Sequence, residues 1–186
     1  MGAPTILVNC AGIQRVAPST DVSQDDWQQV LDVNLGGTFR CSQAFAPGML
    51  AAGGGSIVNI ASINALVGMP GRAAYNASKA GVVAVTQVLS TEWAALGIRV
   101  NAVAPGYVWT RTLDEATATG VHAGDIRDKV PARRLARPDE IASAALYLVS
   151  EGASFVHGHT LVVDGGYAAY GAPASTAFRV DGHLTD

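Results

Sequence analysis

The chain has 186 residues, of which 49% are hydrophobic and 15% charged, and its formal net charge is −3. This composition is typical of one well-packed globular domain. It excludes a disordered chain and a protein that binds nucleic acid through a basic face. No apolar run approaches the roughly 18 residues that a membrane helix needs, and no signal peptide is visible. We therefore expect a soluble, cytoplasmic protein with no nucleic-acid or membrane partner.

The first half of the chain predicts a strand, two helices and a second strand. Thr5–Val8 is a short apolar run, and Ser23–Asp26 has the pattern of a capping box that opens a helix. A second helix is predicted over about 38–50, and Pro47 is expected to bend or end it. The apolar run Ser56–Ile60 completes this half as a strand.

The second half continues the alternation of strands and helices. A long alanine-rich helix is predicted over about 75–96, and the strand Ile98–Val103 follows it. A fourth helix starts near Pro138, and the last strand is Thr160–Val163. Because all four strand runs are continuously apolar, they are typical of a parallel sheet that helices bury on both faces. The predicted fold class is α/β, a doubly wound parallel-sheet fold of the Rossmann type.

Metal chemistry finds little support in the sequence. Cys10 and Cys41 are too few for a disulfide scaffold, and they lack the spacing of metal ligands. His157 and His159 lie two residues apart near a predicted strand, but they have no further ligand at suitable spacing. The sequence therefore predicts no metal site.

A hydroxyl, a phenol and an amine are predicted to meet at one edge of the sheet. Tyr75 and Lys79 lie four residues apart in a predicted helix, and therefore on one face of it. A nearby ammonium favours a tyrosinate, so Lys79 is expected to lower the pKa of Tyr75 from its reference value of about 10. Ser62 follows the strand Ser56–Ile60 at its carboxyl end, where open α/β sheets place their ligands.

These residues resemble, in order and spacing, the short-chain dehydrogenase/reductase family, and most closely its 3-oxoacyl-reductase-like branch. The resemblance runs from about Ile6 to Gly166. Each block is weak alone, and their shared order is what makes them specific. The blocks are Asn9-Cys10-Ala11-Gly12, Asn34, Ser62, Tyr75-Asn76-Ala77-Ser78-Lys79, Asn101-Ala102-Val103-Ala104-Pro105-Gly106 and Val163-Asp164-Gly165-Gly166.

The resemblance implies an NAD- or NADP-dependent oxidoreductase that interconverts a secondary alcohol and a ketone. Tyr75 would be the general acid/base, Lys79 would lower its pKa and bind the nicotinamide ribose, and Ser62 would orient the substrate oxygen. Asn34 would hold a water in a proton relay toward Lys79. The residues lining the cofactor would be Asn9, Ala11, Gly12, Tyr75, Lys79, Pro105, Gly106, Val108 and Thr110.

The sequence departs from the family pattern before Ile6. The family carries a βαβαβ half there, roughly 60–80 residues long, with a glycine-rich turn for the cofactor pyrophosphate and the residue that selects NAD or NADP. This sequence contains no G-x-G-x-x-G, and Gly53-Gly54-Gly55 follows a helix instead of a strand. Neither the cofactor preference nor the substrate is therefore readable. Without that half, Thr5–Val8 is expected to be an exposed apolar edge. A smaller departure is Cys10, where the family usually has a second asparagine.

Three functions stay open at this point. The first is an oxidoreductase of small-molecule alcohols or ketones, expected to be a homo-oligomer (dimer or tetramer) because family members often pair through the helices that correspond to those at Thr38 and Tyr75. The intact set of serine, tyrosine, lysine and asparagine favours it. The second is a non-catalytic truncated remnant that acts as an oligomerising or binding subunit. The third is a truncated enzyme whose missing half comes from a partner chain.

Two segments are predicted to be irregular. Residues 1–166 would form the catalytic part of the Rossmann-type domain, and residues 167–186, which are small and polar without a clear period, would form a tail. The stretch 109–130 has the length and glycine content of a loop. We expect it to be a mobile lid over the substrate.

Overall fold

The computed structural model describes residues 4–110 and 127–170. Within these ranges, four strands form one sheet in the order β1-β2-β3-β4, and every neighbouring pair is parallel. The strands are β1 (Ile6–Asn9), β2 (Gly55–Ile60), β3 (Ile98–Pro105) and β4 (Thr160–Val163). All four predicted strands are confirmed, with bounds that differ from the expected ones by two residues or fewer.

Helices connect and cover the strands. They are α1 (Gln24–Leu31), α2 (Gly37–Ala51), α3 (Ala73–Trp93) and α4 (Pro138–Val149), and short 3₁₀ turns cover Ile63–Ala65, Ala94–Leu96 and Glu151–Ala153. The predicted cap of α1 is present, because the Ser23 hydroxyl oxygen accepts a hydrogen bond from the Asp26 backbone N–H at 3.0 Å. A serine in this position satisfies a donor that has no partner within the helix.

The two helices predicted in the first half are one continuous helical run with a π-helical segment, Asp32–Gly36, between them. Gly36 keeps helical backbone angles (φ −59°, ψ −42°), so it does not interrupt the run. Of the two effects expected of Pro47, it does not end α2, since the helix continues to Ala51, and a bend there stays a prediction. Single π-helical turns insert an extra residue into a helix and often occur at functional sites. Here the turn contains Asn34.

The two faces of the sheet are covered by different helices. On one face, α2 and α3 pack against the sheet through a cluster of Ala46, Met49, Ile57, Leu89, Ile98 and Val100. On the other face, Leu148 of α4 packs against Val58 and Val103. All of these side chains are buried. Helices on both faces of a parallel sheet make the fold a doubly wound α/β structure, which confirms the predicted class.

Strand β1 is an exception to the predicted burial on both faces. Leu7 packs against the core shared with α2 and α3, but Ile6 and Val8, which point to the opposite face, are 53% and 45% exposed. The reason is that α4 packs over β2, β3 and β4. The expected exposed apolar edge is therefore present in the structure.

Two predicted segments fall largely outside the described residues. Of the predicted lid over 109–130, residues 111–126 lie outside them, and of the predicted tail, residues 171–186 do. Tyr167, the first residue of that tail, packs its ring edge-on against Tyr107 with 5.5 Å between the ring centroids. No helix in the described ranges is both long enough and apolar enough to span a membrane.

Candidate active site

An open cleft of about 660 Å³ lies at the carboxyl ends of β1, β2 and β3. Parallel strands bring their carboxyl ends to the same edge of the sheet, and open α/β sheets bind ligands at that edge. Eight residues predicted from the sequence line the cleft, namely Gly12, Ser62, Tyr75, Lys79, Pro105, Gly106, Val108 and Thr110. Ser62, Tyr75 and Lys79 are thus brought together.

Ser62 and Tyr75 come from neighbouring segments of the chain. Ser62 follows β2 and caps the 3₁₀ turn after it, because its hydroxyl oxygen accepts from the Asn64 backbone N–H at 3.1 Å. Tyr75 lies in the first turn of α3. Burial is the largest influence on Tyr75 and raises its pKa, while a hydrogen bond with Ser62 and the charge of Arg72 lower it. The net effect leaves the pKa of Tyr75 above its ordinary value.

Lys79 lies in the cleft beside Tyr75, as the sequence predicted, but the expected lowering of the Tyr75 pKa is not found. Its ammonium donates to the Ile60 backbone carbonyl at 2.7 Å and lies 5.7 Å from the centroid of the Tyr75 ring. Burial lowers the pKa of Lys79 to about 8, and the neighbouring Cys10 partly opposes this. The influences on the pKa of Tyr75 are burial, Ser62 and Arg72, and Lys79 is not one of them.

Asn34 holds the loop after β1 against α3. Its side chain is fully buried, with Oδ1 accepting from the Ile13 backbone N–H at 2.8 Å. Nδ2 donates to the Ile13 carbonyl at 2.9 Å and to the Ser78 hydroxyl oxygen at 2.9 Å. A Cβ added to Gly12 would lie 3.3 Å from Asn34 Oδ1 and 3.4 Å from Lys79 Nζ. Both polar atoms therefore border the same point beside Gly12.

Asn9 and Ala11 are not among the residues that line the cleft. The amide nitrogen of Asn9 donates to Asn59 Oδ1 at 2.8 Å and to the Ser42 hydroxyl oxygen at 3.1 Å. These bonds tie the end of β1 to β2 and α2, so the Asn9 side chain belongs to the junction between sheet and helix. The sequence-based expectation that Asn9 and Ala11 line the cofactor stays a prediction.

The wall of the cleft beyond β3 depends on a close backbone approach. A Cβ added to Gly106 would lie 2.7 Å from the Cα of Asp164, a separation that real Cβ atoms do not tolerate. The Asp164 carboxylate accepts from the backbone N–H groups of Gly166 and Ala168 at 2.8 and 2.7 Å. Glycine at 106 thus allows the loop after β3 to lie against the turn after β4.

Sequence reasoning missed several residues that line the cleft, and two of them are arginines. Arg15 is paired, with its Nε 3.2 Å from Asp26 and a further bond to the Gln29 side-chain oxygen at 3.0 Å. The Arg72 guanidinium makes no hydrogen bond or ion pair with any described residue. Helical spacing gave no signal for Arg72, because it is the N-cap residue of α3, with non-helical backbone angles (φ −127°, ψ 35°), and it precedes the helix predicted over about 75–96.

Acidic side chains are missing from the described lining of this cleft. Its charged residues are Arg15, Arg72 and Lys79, all cationic, although the chain as a whole carries a net charge of −3. No group of three or more histidine, cysteine or acidic residues suitable for a metal ion occurs in residues 4–110 and 127–170. The cleft therefore presents positive charge and hydrogen-bond donors to whatever it binds.

Comparison with known proteins gives consistent matches. A family model described as enoyl-(acyl carrier protein) reductase matches residues 1–168. The D-threitol dehydrogenase of Mycolicibacterium smegmatis is 46% identical over 166 residues, which cover 89% of this chain and 64% of that enzyme. The NAD-dependent glycerol dehydrogenase of Listeria innocua is 40% identical over 162 residues, or 87% of this chain and 63% of that enzyme. A solved gluconate 5-dehydrogenase of Burkholderia cenocepacia, in complex with NADP and tartrate, superposes with a TM-score of 0.86 at 41% identity, covering 91% of this chain and 66% of that one.

The fold and the cleft define a doubly wound α/β protein with a serine, a tyrosine and a lysine together at the carboxyl edge of its sheet. With the matches above, the chain belongs to the short-chain dehydrogenase/reductase family. It spans less than two thirds of the length of the two dehydrogenases from Mycolicibacterium smegmatis and Listeria innocua.

Proposed function

We propose that residues 1–166 form the catalytic part of an oxidoreductase that uses NAD or NADP to interconvert a secondary alcohol and a ketone. The observation that carries the proposal is the meeting of Ser62, Tyr75 and Lys79 in one cleft at the carboxyl edge of a parallel sheet. The names of the relatives support it, since they concern dehydrogenation of threitol and of glycerol. The solved gluconate 5-dehydrogenase supports the choice of cofactor, because it holds NADP.

The cleft suits the nicotinamide end of such a cofactor. Lys79 offers a buried ammonium next to Gly12, where the lack of a side chain leaves the approach to Nζ open. Pro105, Gly106 and Val108 supply another wall of the same cleft. When bound, NAD or NADP would accept a hydride from the substrate carbon or return one to it. Lys79 would hold the ribose hydroxyls, and Pro105, Gly106, Val108 and Thr110 would border the nicotinamide.

Tyr75 and Ser62 would act on the substrate oxygen. Tyr75 would exchange a proton with it, and Ser62 would donate a hydrogen bond to it. The raised pKa of Tyr75 keeps its hydroxyl protonated at neutral pH, which is the state needed to protonate the oxygen during ketone reduction. In the oxidative direction, Ser62 and Arg72 supply the influences that lower this pKa.

Asn34 would contribute to proton movement through its position. Its amide already makes three hydrogen bonds, and Oδ1 keeps a second lone pair. Because Oδ1 and Lys79 Nζ border the same point beside Gly12, a water there would bridge the two groups. Such a water would connect Lys79 to the buried segment that contains Asn34 and form the start of a proton relay.

The proposed enzyme is a homo-oligomer that contacts its copies through α2 and α3. Both helices carry large apolar side chains that water reaches in the single chain, among them Phe39, Phe45 and Leu50 on α2 and Val88 on α3. Exposed apolar side chains grouped on two neighbouring helices are typical of an interface between subunits. Light scattering on the purified chain tests this proposal, and a monomer at all concentrations would contradict it.

The experiment that tests the proposed activity is a titration of the purified full chain with NADH and then NADPH, followed by nicotinamide fluorescence. An assay of hydride transfer from a panel of secondary alcohols to NAD and NADP accompanies it. Saturable binding and turnover are expected. A folded chain, verified by circular dichroism, that binds neither cofactor would contradict the proposal and support the non-catalytic subunit instead.

A further inference from the structure

Within the described residues, Arg72 is the one charged side chain of the cleft that has neither an acidic side chain nor a carbonyl as its partner. It is the N-cap residue of α3, yet its side chain makes no capping bond. Arg15 is neutralised by Asp26, and Lys79 donates to the Ile60 carbonyl. Arg72 is also half-buried, so water screens its charge less than it would on an open surface.

The position of Arg72 along α3 separates it from the part of the cleft that would take the cofactor. Arg72 and Lys79 are seven residues apart, which is about 10 Å along a helix axis. Lys79 borders Gly12 and Cys10, at the end of β1. The charge of Arg72 instead acts on Tyr75 and on Tyr107, which follows β3. Along α3, Tyr75 therefore lies between Arg72 and Lys79.

An unpaired guanidinium in a cleft without described acidic residues is suited to an anion. A carboxylate accepts two parallel hydrogen bonds from arginine, and such charge-assisted pairs are roughly twice as strong as neutral hydrogen bonds. One cation matches the single charge of a carboxylate, whereas a phosphate group carries up to two charges at neutral pH. The charge of the cleft thus favours a carboxylate.

We propose that Arg72 binds a carboxylate of the substrate, so that the substrate is a polyhydroxy acid or the corresponding keto acid and not a neutral polyol. This inference rests on the proposed oxidoreductase function and names its substrate class. In the oxidative direction, the bound NAD or NADP would take the hydride of the carbinol carbon, and Tyr75, once its own proton has been released to solvent, would accept the proton of the carbinol hydroxyl. The carboxylate is unchanged by the reaction and serves to orient the acid against Tyr75 and Ser62.

Threitol and threonate test the inference as a matched pair, because they share a four-carbon skeleton and differ in one terminal carboxylate. The full chain is titrated with each, with saturating NADH to prevent turnover and again without cofactor, and dissociation constants are measured by saturation-transfer NMR. We expect threonate to bind at least about tenfold more tightly than threitol, as one charge-assisted interaction in a half-buried site would provide. Arg72→Gln should abolish this preference, and Arg72→Lys should keep part of it.

Arg15→Gln is the matched control, since it removes a cation from the same cleft that already has a carboxylate partner. It should leave the ratio of the two affinities unchanged. Equal affinities in the unaltered chain, no binding of either compound, or an unchanged preference in folded Arg72→Gln would each overturn the inference. Tighter binding of the phosphate monoester of threitol than of threonate would also overturn it. The same holds if Arg72→Gln lowers the affinity for NADPH by a larger factor than it lowers the ratio of threonate to threitol affinity.

The measurements of binding separate this inference from the proposed activity. If threonate binds through Arg72 and neither cofactor binds, the acid site stands and the oxidoreductase function of this chain fails. If cofactor binds and neutral polyols turn over as well as acids do, the function stands and the role of Arg72 fails.

Discussion

Two clefts at opposite edges of the sheet use arginine in opposite ways. A cleft of about 550 Å³ at the amino ends of β1, β2 and β3 is lined in part by Arg99. The Arg99 guanidinium donates to the carbonyls of Leu148, Val149, Ser150 and Ala153 at the end of α4. These carbonyls belong to the last turn of α4 and the segment after it, where backbone acceptors lack helical partners and a cation is favoured by the helix dipole.

The cleft at the carboxyl ends leaves its arginine available. Arg72 donates to no carbonyl of the described residues, and its guanidinium is unpaired among them. The difference shows that a charged side chain in a cleft is not by itself a sign of function. At the amino edge the charge completes the fold, whereas at the carboxyl edge the charge, the hydroxyls of Ser62 and Tyr75 and the ammonium of Lys79 are left facing the cleft.

The strongest test of this comparison is Tyr75→Phe. If catalysis takes place at the carboxyl edge of the sheet, removing this hydroxyl should lower turnover by more than about a hundredfold, as expected for a lost general acid/base. The fold should stay intact. Tyr107→Phe is the matched control, because Tyr107 lines the same cleft and its hydroxyl interacts with the sulfur of Met69, at 3.7 Å, and with Tyr167, outside the group of Ser62, Tyr75 and Lys79. Steady-state kinetics distinguish the two variants. Near-normal turnover in Tyr75→Phe would contradict the assignment of Tyr75 as the general acid/base.

The second test uses the pH dependence that Lys79 brings to folding. The pKa of Lys79 in the folded chain is about 8, below its ordinary value of 10.5. Between these values the unfolded chain binds more protons, so folding stability rises with pH in that window. From pH 8 to pH 10 we expect a gain of about 2 kcal/mol in the free energy of unfolding, measured by urea denaturation.

Lys79→Met should lack this rise, and the exposed Lys129→Met should keep it. The window ends near pH 10, because burial raises the pKa of both Tyr75 and Tyr107 above the ordinary value of 10.0, and raised tyrosine pKa values reduce stability at higher pH. The same slope in Lys79→Met as in the unaltered chain would show that Lys79 is not the group that titrates.

The third test addresses the amino edge. Arg99→Met keeps the packing of the side-chain stem and leaves four backbone carbonyls without their donor. We expect a loss of about 2 kcal/mol in the free energy of unfolding, in line with hydrogen bonds to charged groups. Affinity for NADH and threonate should stay within about twofold. If Arg99→Met were as stable as the unaltered chain but had lost its affinity for NADH or threonate, Arg99 would have a role in binding and not in folding.

The smallest expected effect belongs to Asn9. Asn9→Ala removes the bonds to Asn59 and Ser42, which should lower the free energy of unfolding by about 1 kcal/mol. NADH affinity should not change, because the Asn9 side chain turns away from the cleft toward α2. Lost cofactor affinity at unchanged stability would restore the role that the sequence suggested for Asn9.

The positions of the main elements could be predicted because their signals are local. Continuous apolar runs located β2 and β3 to within two residues, a long alanine-rich stretch located α3, and Pro138 marked the start of α4. The meeting of Ser62, Tyr75 and Lys79 was also predictable. The spacing of Tyr75 and Lys79 places them on one helix face, and a parallel sheet brings the end of β2 to the same edge. Each inference needed only short stretches of sequence and the geometry of regular structure.

The partners of the side chains depend on contacts between segments far apart in the sequence, and only the tertiary structure decided them. Arg99 and Arg72 are the same residue type, yet the end of α4 satisfies one and nothing described satisfies the other. Asn9 turns toward Asn59, fifty residues away, and Lys79 turns toward the Ile60 carbonyl instead of the Tyr75 hydroxyl. The sequence by itself determined the sheet, its helices and the edge at which the chemistry lies. Which polar groups at that edge remain free was settled by packing, because a buried donor or charge takes whichever acceptor the folded chain brings within reach.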